Sequence, residues 1–459
     1  MSRLFGTDGV RGIPGREPLT HETVRRLGAV SARAFLRERG RGEGPALIVM
    51  GRDTRRSGIG LLRALAEGFA QAGCRTLDAG VVPTPAVSYL ARRCGALCGT
   101  VVSASHNPPE FNGIKFFTSE GLKAPTAIED RIEAGLHEAG LRSAPASGSR
   151  PRLVVDKGAV HEYLDFLKST FPATRDLSGL RLVVDGAHGA ASALAGGLFR
   201  SLGAEVFELG CSPDGSNINV GCGALETEAM RREVLRRRAH CGISLDGDAD
   251  RAVFADEKGR LLDGDVLIAM SALHLQEQGL LRGETVVLTV MSNFGLVRWL
   301  EGRGIRVVQV PVGDRNVTDA LMSGGFCLGG ENSGHVVLRH LAPTGDGLLT
   351  ALQTLAVLAE RGGPMSRFRS LYRHTPQLLR NIRVQERVPL SKLQDFGRSV
   401  AAAERRLTGR GRVFVRYSGT EPLMRILVEG PGRPEVHRIA EGLARSFLDN
   451  ISRRHPTCP

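Results

Sequence analysis

Aromatic side chains make up only 5% of the 459 residues, with one tryptophan and four tyrosines beside seventeen phenylalanines. That scarcity leaves little material for stacking bases and argues against a nucleic-acid binder, although the formal charge of +13 invites that class. The positive excess is mostly arginine, scattered over the whole length; its densest cluster, Arg231 to Arg238, falls in a predicted helix and reads as a solvated face. A background attraction for anions suits a phosphorylated small molecule just as well. No apolar run reaches the length of a membrane span, and the first residues, Met1 to Gly9, lack the apolar core of a signal peptide. The expectation is a soluble, cytoplasmic protein. Paired CxxC groupings are also missing: Cys74, Cys94, Cys98, Cys211, Cys222, Cys241, Cys327 and Cys458 are dispersed through a chain too large for a disulfide scaffold, so they read as reduced thiols. Cys98, Cys241 and Cys327 lie in apolar strand-like runs, where a thiol acts as a small core residue.

What is present is a repeated order of elements, in a chain long enough for three or four domains. In the first stretch Ala46 to Met50 is a continuous apolar strand, and Ser57 is the N-cap of a helix carrying Leu61, Leu62, Leu65 and Phe69 at helical spacing. A strand near Thr76, a helix from Thr84 to Arg93 and the strand Cys98 to Val102 complete it. The second stretch runs strand Leu182 to Val184, helix to Leu202, strand Glu205 to Leu209, helix Glu226 to Arg238, strand Gly242 to Leu245. The third runs strand Thr285 to Val290, helix from Phe294, strand Ile305 to Val310, helix from Asp314, strand Phe326 to Leu328. Parallel strands linked by helices bury both sheet faces, which explains strands that are solidly apolar instead of alternating. Three such cycles, each closing on a polar signature, read as an internal structural repeat. From about residue 376 the order becomes strand, helix, strand Arg412 to Arg416, strand Arg425 to Val428, then a helix carrying Val436, Ile439, Leu443 and Phe447. That suits helices on one face of an antiparallel sheet. The expected fold is three similar α/β domains with mixed, mostly parallel sheets plus a C-terminal α+β domain, divided 1–160, 161–260, 261–375 and 376–459, with a loose polar tail after Asn450.

The signatures carry the chemistry. Thr100 to Pro108 ends an apolar strand in the polar turn Ser103-Ala104-Ser105-His106-Asn107, with Lys115 shortly beyond, and the carboxyl end of a strand is where open α/β sheets place their ligands. A lone Ser-His pair is also an ordinary turn, and taken alone the ordinary reading is the stronger one. Asp246, Asp248 and Asp250 alternate along an extended segment, so their carboxylates can converge to give a hard divalent cation oxygen ligands. A calcium hand is excluded by context: its sixth position is Arg251 instead of glycine, and Ala252 to Phe254 continues as a strand. Glu331, Ser333 and His335 sit in a glycine-rich loop, where a carboxylate and a hydroxyl suit neighbouring sugar hydroxyls; a structural turn remains equally open. Arg416 to Pro422, with Arg425 just beyond, offers guanidiniums, hydroxyls and backbone amides to a phosphate, with a plain hairpin as the alternative. The turn Gly186 to Ala190 reads as structural rather than as an anion site. At the amino terminus Leu4, Phe5 and Val10 are expected to pack on the first domain and fix Arg11.

Taken in order, Phe5 to Gly12, Ser103 to Pro108, Asp246 to Arg251, Glu331 to His335 and Arg416 to Pro422, the chain resembles the α-D-phosphohexomutase superfamily from end to end. The resemblance implies a heart-shaped, four-domain isomerase whose cleft takes one loop from each domain. Ser105 would be carried as phosphoserine, with Ser103 a bystander. Asp246, Asp248 and Asp250 would hold magnesium together with an oxygen on Ser105. Glu331, Ser333 and His335 would bind the sugar, and Arg416, Ser418, Gly419, Thr420 and Arg425 its non-reacting phosphate. Arg11, His106, Lys115 and Arg251 would line the reacting end, the base and acid being open among Lys115, His106 and His335. The implied reaction interconverts glucosamine 6-phosphate and glucosamine 1-phosphate through glucosamine 1,6-bisphosphate, on the way to UDP-N-acetylglucosamine for peptidoglycan. Its partner is a hexosamine phosphate, with neither nucleic acid nor membrane, and a homodimer is among the open assemblies. Mannose or glucose phosphates are the alternative substrates within the superfamily. A magnesium-dependent phosphatase could share the aspartates and the nucleophile but has little use for a second phosphate loop. Two departures from the common pattern stand out: Ala249 replaces a frequent glycine, harmless unless the position needs positive φ, and Tyr417 stands where lysine or proline is frequent.

Overall fold

The computed structural model describes residues 4–6, 8–39, 46–139, 153–418 and 422–452. The chain divides into one unit made of Met1–Thr289 and Val310–Leu371 and a second made of Val290–Gln309 and Tyr372–Pro459.

The first unit is built on three sheets. In the first, Leu47–Arg52 pairs in parallel with Arg75–Val81 and Cys98–Val102, while Asn112–Thr118 returns antiparallel to Cys98–Val102 and carries Val10–Gly12 on its outer side. The second repeats this: Arg181–Asp185 is parallel to Glu205–Leu209 and Cys241–Leu245, with Ala252–Asp256 antiparallel and Leu261–Leu262 beyond it. In the third, Thr285–Thr289 is parallel to Leu328–Gly330, which turns back into Val336–Leu338. The inner strands Cys98–Val102 and Cys241–Leu245 are buried along their whole length, as continuous apolar runs require. Each cycle therefore ends in a tight reversal from a parallel strand into an antiparallel one. The three polar signatures occupy those reversals.

Helix Gly58–Gln71 buries Leu61, Leu62, Leu65 and Phe69 as its spacing predicts, but Ser57 does not cap it. The Ser57 backbone is helical and its hydroxyl instead accepts from Asn112 Nδ2 at 2.8 Å. At the amino terminus Phe5 is buried against Phe116, with ring centroids 6.4 Å apart, and Phe5 N donates to Glu133 Oε1. This packing anchors the strand that carries Arg11. The amides of the turn at Gly186 to Ala190 are all spent within the fold, on Leu209 O, Asp185 Oδ1, Gly210 O, Gly186 O and Gly247 O, so the turn is structural.

The second unit contains a three-stranded antiparallel sheet in the order Gln377–Arg383, Leu423–Glu429, Arg412–Tyr417. Helices Gln394–Leu407 and Arg433–Ser452 pack on it around Phe396, Met424, Ile426, Val428, Leu443 and Phe447. This is the α+β arrangement expected. Helix Phe294–Glu301 belongs to the same unit, where Phe294 N donates to the buried Glu429 carboxylate at 2.9 Å. Cys74, Cys94, Cys98, Cys211, Cys222, Cys241 and Cys327 are free, whereas Cys458 and the end of the tail lie outside the described residues. Among the described residues no helix is long and apolar enough to cross a membrane.

Candidate active site

The reversals of the first unit bring Ser105 and the aspartate loop into contact. Ser105 sits between Cys98–Val102 and Asn112–Thr118 in left-handed backbone, φ 51, and its Oγ donates to Asp246 Oδ2 at 2.7 Å. His106 Nδ1 lies 3.4 Å from the same Oγ. Close approach of the two loops depends on Gly247, where a Cβ would stand 2.6 Å from Ser105 O.

Asp246, Asp248 and Asp250 are buried, and each offers a ligand oxygen within 4.8 Å of the others. Asp248 Oδ2 is occupied by Thr84 Oγ1 at 2.7 Å and Lys115 Nζ at 2.9 Å. Thr84 opens helix Thr84–Arg93, and its amide also donates to Asp248 O at 2.9 Å. The remaining oxygens, Asp248 Oδ1 and Asp250 Oδ1, are buried without a hydrogen-bond partner. Burial first, and then the negative charges of Asp250 and Asp248, drive the Asp246 carboxyl well above the usual carboxylate range. A buried carboxylate cluster with orphaned oxygens and internal repulsion is what a hard divalent cation would satisfy, so these residues fit magnesium.

Cations surround the triad. Lys115 Nζ lies 2.9 Å from Asp8 Oδ2 as well as from Asp248, and 3.9 Å from Asp250 Oδ2. Burial alone would depress its ammonium, but Asp248, Asp8 and Asp250 outweigh burial and hold it above the ordinary lysine range. Arg11 donates to Asn107 Oδ1 at 3.1 Å and pairs with Asp8. Arg251 N donates to Asp246 Oδ1 at 3.2 Å, and its side chain pairs with Asp250 at 3.7 Å. His106 is pushed down to about 4 by burial, with Arg251 and Arg11 adding to it, so its imidazole is neutral near pH 7. His335 moves the other way: burial is overcome by Asp250, whose Oδ2 stands 3.8 Å from Nδ1. A neutral imidazole therefore lies beside the Ser105 hydroxyl, and a bound ammonium sits on the aspartate cluster that the hydroxyl contacts.

The third reversal supplies Glu331, Ser333 and His335. Glu331 is buried, its Oε1 accepting from Gly313 N at 2.9 Å and its Oε2 from Ser333 Oγ at 3.2 Å, which fixes the carboxylate's direction. Gly345 lies flat on the His335 ring, where a Cβ would come within 2.5 Å.

Sequence reasoning missed several participants. Asp53, Arg55, Thr84, Lys123 and Asn219 all reach the site, and Lys123 bridges Asp8 and Asp314. Ser103 is more than a bystander: its hydroxyl accepts from Ser105 N at 3.0 Å and donates to Asp53 Oδ2 at 2.6 Å. The one available signal was the charged run Arg52-Asp53-Thr54-Arg55 at a strand's carboxyl end. Position 249 does need positive φ, 56, so Ala249 carries backbone strain there.

In the second unit Arg416 and Arg425 are directly paired across the antiparallel strands, and Ser418 N closes the turn on Leu423 O at 2.8 Å. Tyr417 OH donates to Val388 O at 2.7 Å, giving that side chain a structural partner. Gly419 and Thr420 lie outside the described residues.

Comparison with known proteins agrees along the chain. The phosphoglucomutase/phosphomannomutase models match domain by domain: alpha/beta/alpha domain I at residues 2–142, domain II at 161–259, domain III at 263–375 and the C-terminal domain at 379–446. Phosphoglucosamine mutase of Paracoccus denitrificans is 46% identical over 96% of this chain and 98% of its own length. That of Heliobacterium modesticaldum is 43% identical over 97% and 99%. The chain belongs to the phosphoglucosamine mutase family. It is an isomerase. Solved structures show the same fold: a phosphoglucomutase/phosphomannomutase family protein from Burkholderia thailandensis has a TM-score of 0.80 at 24% identity, covering 100% of this chain and 99% of its own. Aspergillus fumigatus N-acetylphosphoglucosamine mutase, solved with GlcNAc-6P and magnesium, has a TM-score of 0.68 at 18% identity, covering 97% and 96%.

Proposed function

We propose that this mutase interconverts glucosamine 6-phosphate and glucosamine 1-phosphate, with Ser105 as the phosphoryl carrier and glucosamine 1,6-bisphosphate as the intermediate. The observation that supports it most is the 2.7 Å contact of Ser105 Oγ with a buried aspartate triad that retains orphaned oxygens. In the first half-reaction the bond between phosphorus and Ser105 Oγ breaks as a bond to the free sugar hydroxyl forms, and the hydroxyl proton passes to a base; in the second a phosphorus–sugar oxygen bond breaks as the bond to Ser105 Oγ re-forms, and the freed sugar oxygen takes a proton. The bisphosphate then turns around, and its other phosphoryl group returns to Ser105.

Asp246, Asp248 and Asp250, with an oxygen on phosphoserine, would hold magnesium, which would neutralise charge on the transferring group. Lys115, held as an ammonium, and Arg11 and Arg251 add positive charge at the same end. Among the base and acid candidates, His106 is held neutral, whereas Lys115 and His335 are biased toward keeping their protons. Glu331 and Ser333 would take sugar hydroxyls. Arg416, Ser418, Gly419, Thr420 and Arg425 would take the phosphate that is not reacting. Arg416 and Arg425 face each other across the strands, and guanidiniums can fork onto phosphate oxygens. The hexosamine phosphate product would feed cytoplasmic synthesis of UDP-N-acetylglucosamine.

The test is a parallel assay of glucosamine, glucose and mannose phosphates, each primed with its bisphosphate. The expected result is a kcat/KM highest for the glucosamine pair. A preference for mannose or glucose phosphate would overturn the assignment of the sugar, and release of inorganic phosphate without isomer formation would overturn the mutase.

A further inference from the structure

Ser105 and Asn107 are gripped from two sides at the same two main-chain oxygens. From its own sheet, Arg55 Nη2 donates to Ser105 O at 3.0 Å and to Asn107 O at 2.7 Å. From the second sheet's side, Asn219 Nδ2 donates to Ser105 O at 2.9 Å and to Asn107 O at 3.1 Å. Arg55 is buried, and its other donors are spent on Pro108 O at 2.5 Å, Phe111 O at 2.9 Å and Asp53 Oδ2 at 2.9 Å. A guanidinium has five N–H groups. Four of them here hold carbonyls of one short loop, and the fifth is tied to Asp53.

Asp53 closes the circuit on the amide side of the same residue. It accepts from Ser103 Oγ at 2.6 Å, and Ser103 Oγ in turn accepts from Ser105 N at 3.0 Å. Both the N–H and the C=O of Ser105 therefore lead back to the Asp53–Arg55 pair. A non-glycine residue with φ 51 persists only where its surroundings over-determine it. The left-handed turn aims the Ser105 hydroxyl at Asp246 instead of along the strand.

We propose that Arg55 and Asn219 are positioning residues that clamp the loop carrying Ser105, holding the hydroxyl in line for phosphoryl transfer without touching the sugar. The proposal rests on Ser105 being the phosphoryl carrier. Misplacing a reacting atom by a fraction of an ångström costs rate while leaving substrate contacts intact. The clamp therefore acts on kcat and not on KM.

The experiment uses the full-length enzyme with magnesium and glucosamine 1,6-bisphosphate, comparing wild type with Asn219→Ala, Arg55→Lys and the double variant. Arg55→Lys keeps the charge and loses the fork. The expected result is a fall in kcat of about tenfold or more in each single variant, with KM for glucosamine 6-phosphate within about twofold of wild type. In the double variant the losses should combine to less than their product, because both residues act on the same two oxygens. Should Arg55→Lys fail to fold, Asn219→Ala at its partly exposed site still decides the question. A folded Asn219→Ala enzyme with wild-type kcat, or one with raised KM and unchanged kcat, would overturn the clamp. Intact mass of wild type and Ser105→Ala after exposure to the bisphosphate, measured alongside, separates that outcome from a failure of the carrier assignment itself.

Discussion

Three non-glycine residues of the site hold left-handed backbone, Ser105 at φ 51, Asn219 at φ 60 and Ala249 at φ 56, and the first and last do so for different reasons. At Ser105 the angle points a hydroxyl at Asp246 Oδ2. At Ala249 no side-chain function offsets it; the angle lets the aspartate loop turn, with Ala249 N bonding Asp246 O at 3.0 Å and Ala249 O accepting from Gly347 N at 2.9 Å. A left-handed alanine costs about 1 kcal/mol or more. Replacing Ala249 with glycine should therefore stabilise the first unit by up to about 1 kcal/mol, part being lost to the greater freedom of glycine in the unfolded chain. A thermal melt checks this: Tm should rise, and a lower Tm would show that the loop does not bear the strain assigned to it.

At the scale of elements, the reversals and helix starts position charge. Asp346 caps helix Gly347–Arg361 by accepting from Leu349 N at 3.0 Å, and it also takes the Tyr163 hydroxyl at 2.8 Å. Burial is the largest influence and pushes its carboxyl up to about 6 from 3.8. The folded protein thus holds this proton more tightly than the unfolded chain does. Its contribution to stability is full below about pH 4 and is lost as pH rises through about 6, up to about 3 kcal/mol. Asp346→Asn keeps a capping oxygen without the ionisation. The difference in Tm between that variant and wild type should therefore grow in the variant's favour from pH 4 to pH 7, and a difference independent of pH would contradict the assignment. The aspartate loop, between Cys241–Leu245 and Ala252–Asp256, makes a second case. Because its carboxylates repel one another, magnesium should raise Tm by binding only the folded state, by about 3 kcal/mol of stability at a hundredfold excess over Kd. Asp248→Asn should blunt that shift. A wild-type Tm indifferent to magnesium and to chelator would remove the metal site.

Over the whole molecule, the signatures that form the site were legible because each interrupts a solid apolar strand, and a break of that kind shows in one sequence. The strand Cys98–Val102 was read to the residue for the same reason. The returning strands Asn112–Thr118 and Val336–Leu338 were not read as sheet partners, because pairing direction leaves no local trace. Ser57 lost its expected cap to Asn112, a residue distant in the chain, and Thr84, Arg55 and Asn219 reach the site through contacts of the same kind. Local pattern reports what a segment is, whereas contacts across the fold decide which polar atoms meet. The Arg416–Arg425 pair makes a prediction at this scale: Arg416→Ala should raise KM for glucosamine 6-phosphate about ten- to a hundredfold, the worth of one charged hydrogen bond, with a smaller effect on kcat. An unchanged KM in steady-state kinetics would remove Arg416 from the phosphate site. The most direct test of the central claim is the intact mass of the enzyme after exposure to glucosamine 1,6-bisphosphate and magnesium, comparing wild type with Ser105→Ala. The wild type should gain the mass of one phosphoryl group, mapped to Ser105 and lost on addition of glucosamine 6-phosphate as bisphosphate forms, while Ser105→Ala gains none and does not turn over. A Ser105→Ala enzyme that is still phosphorylated and still isomerises the sugar would contradict it.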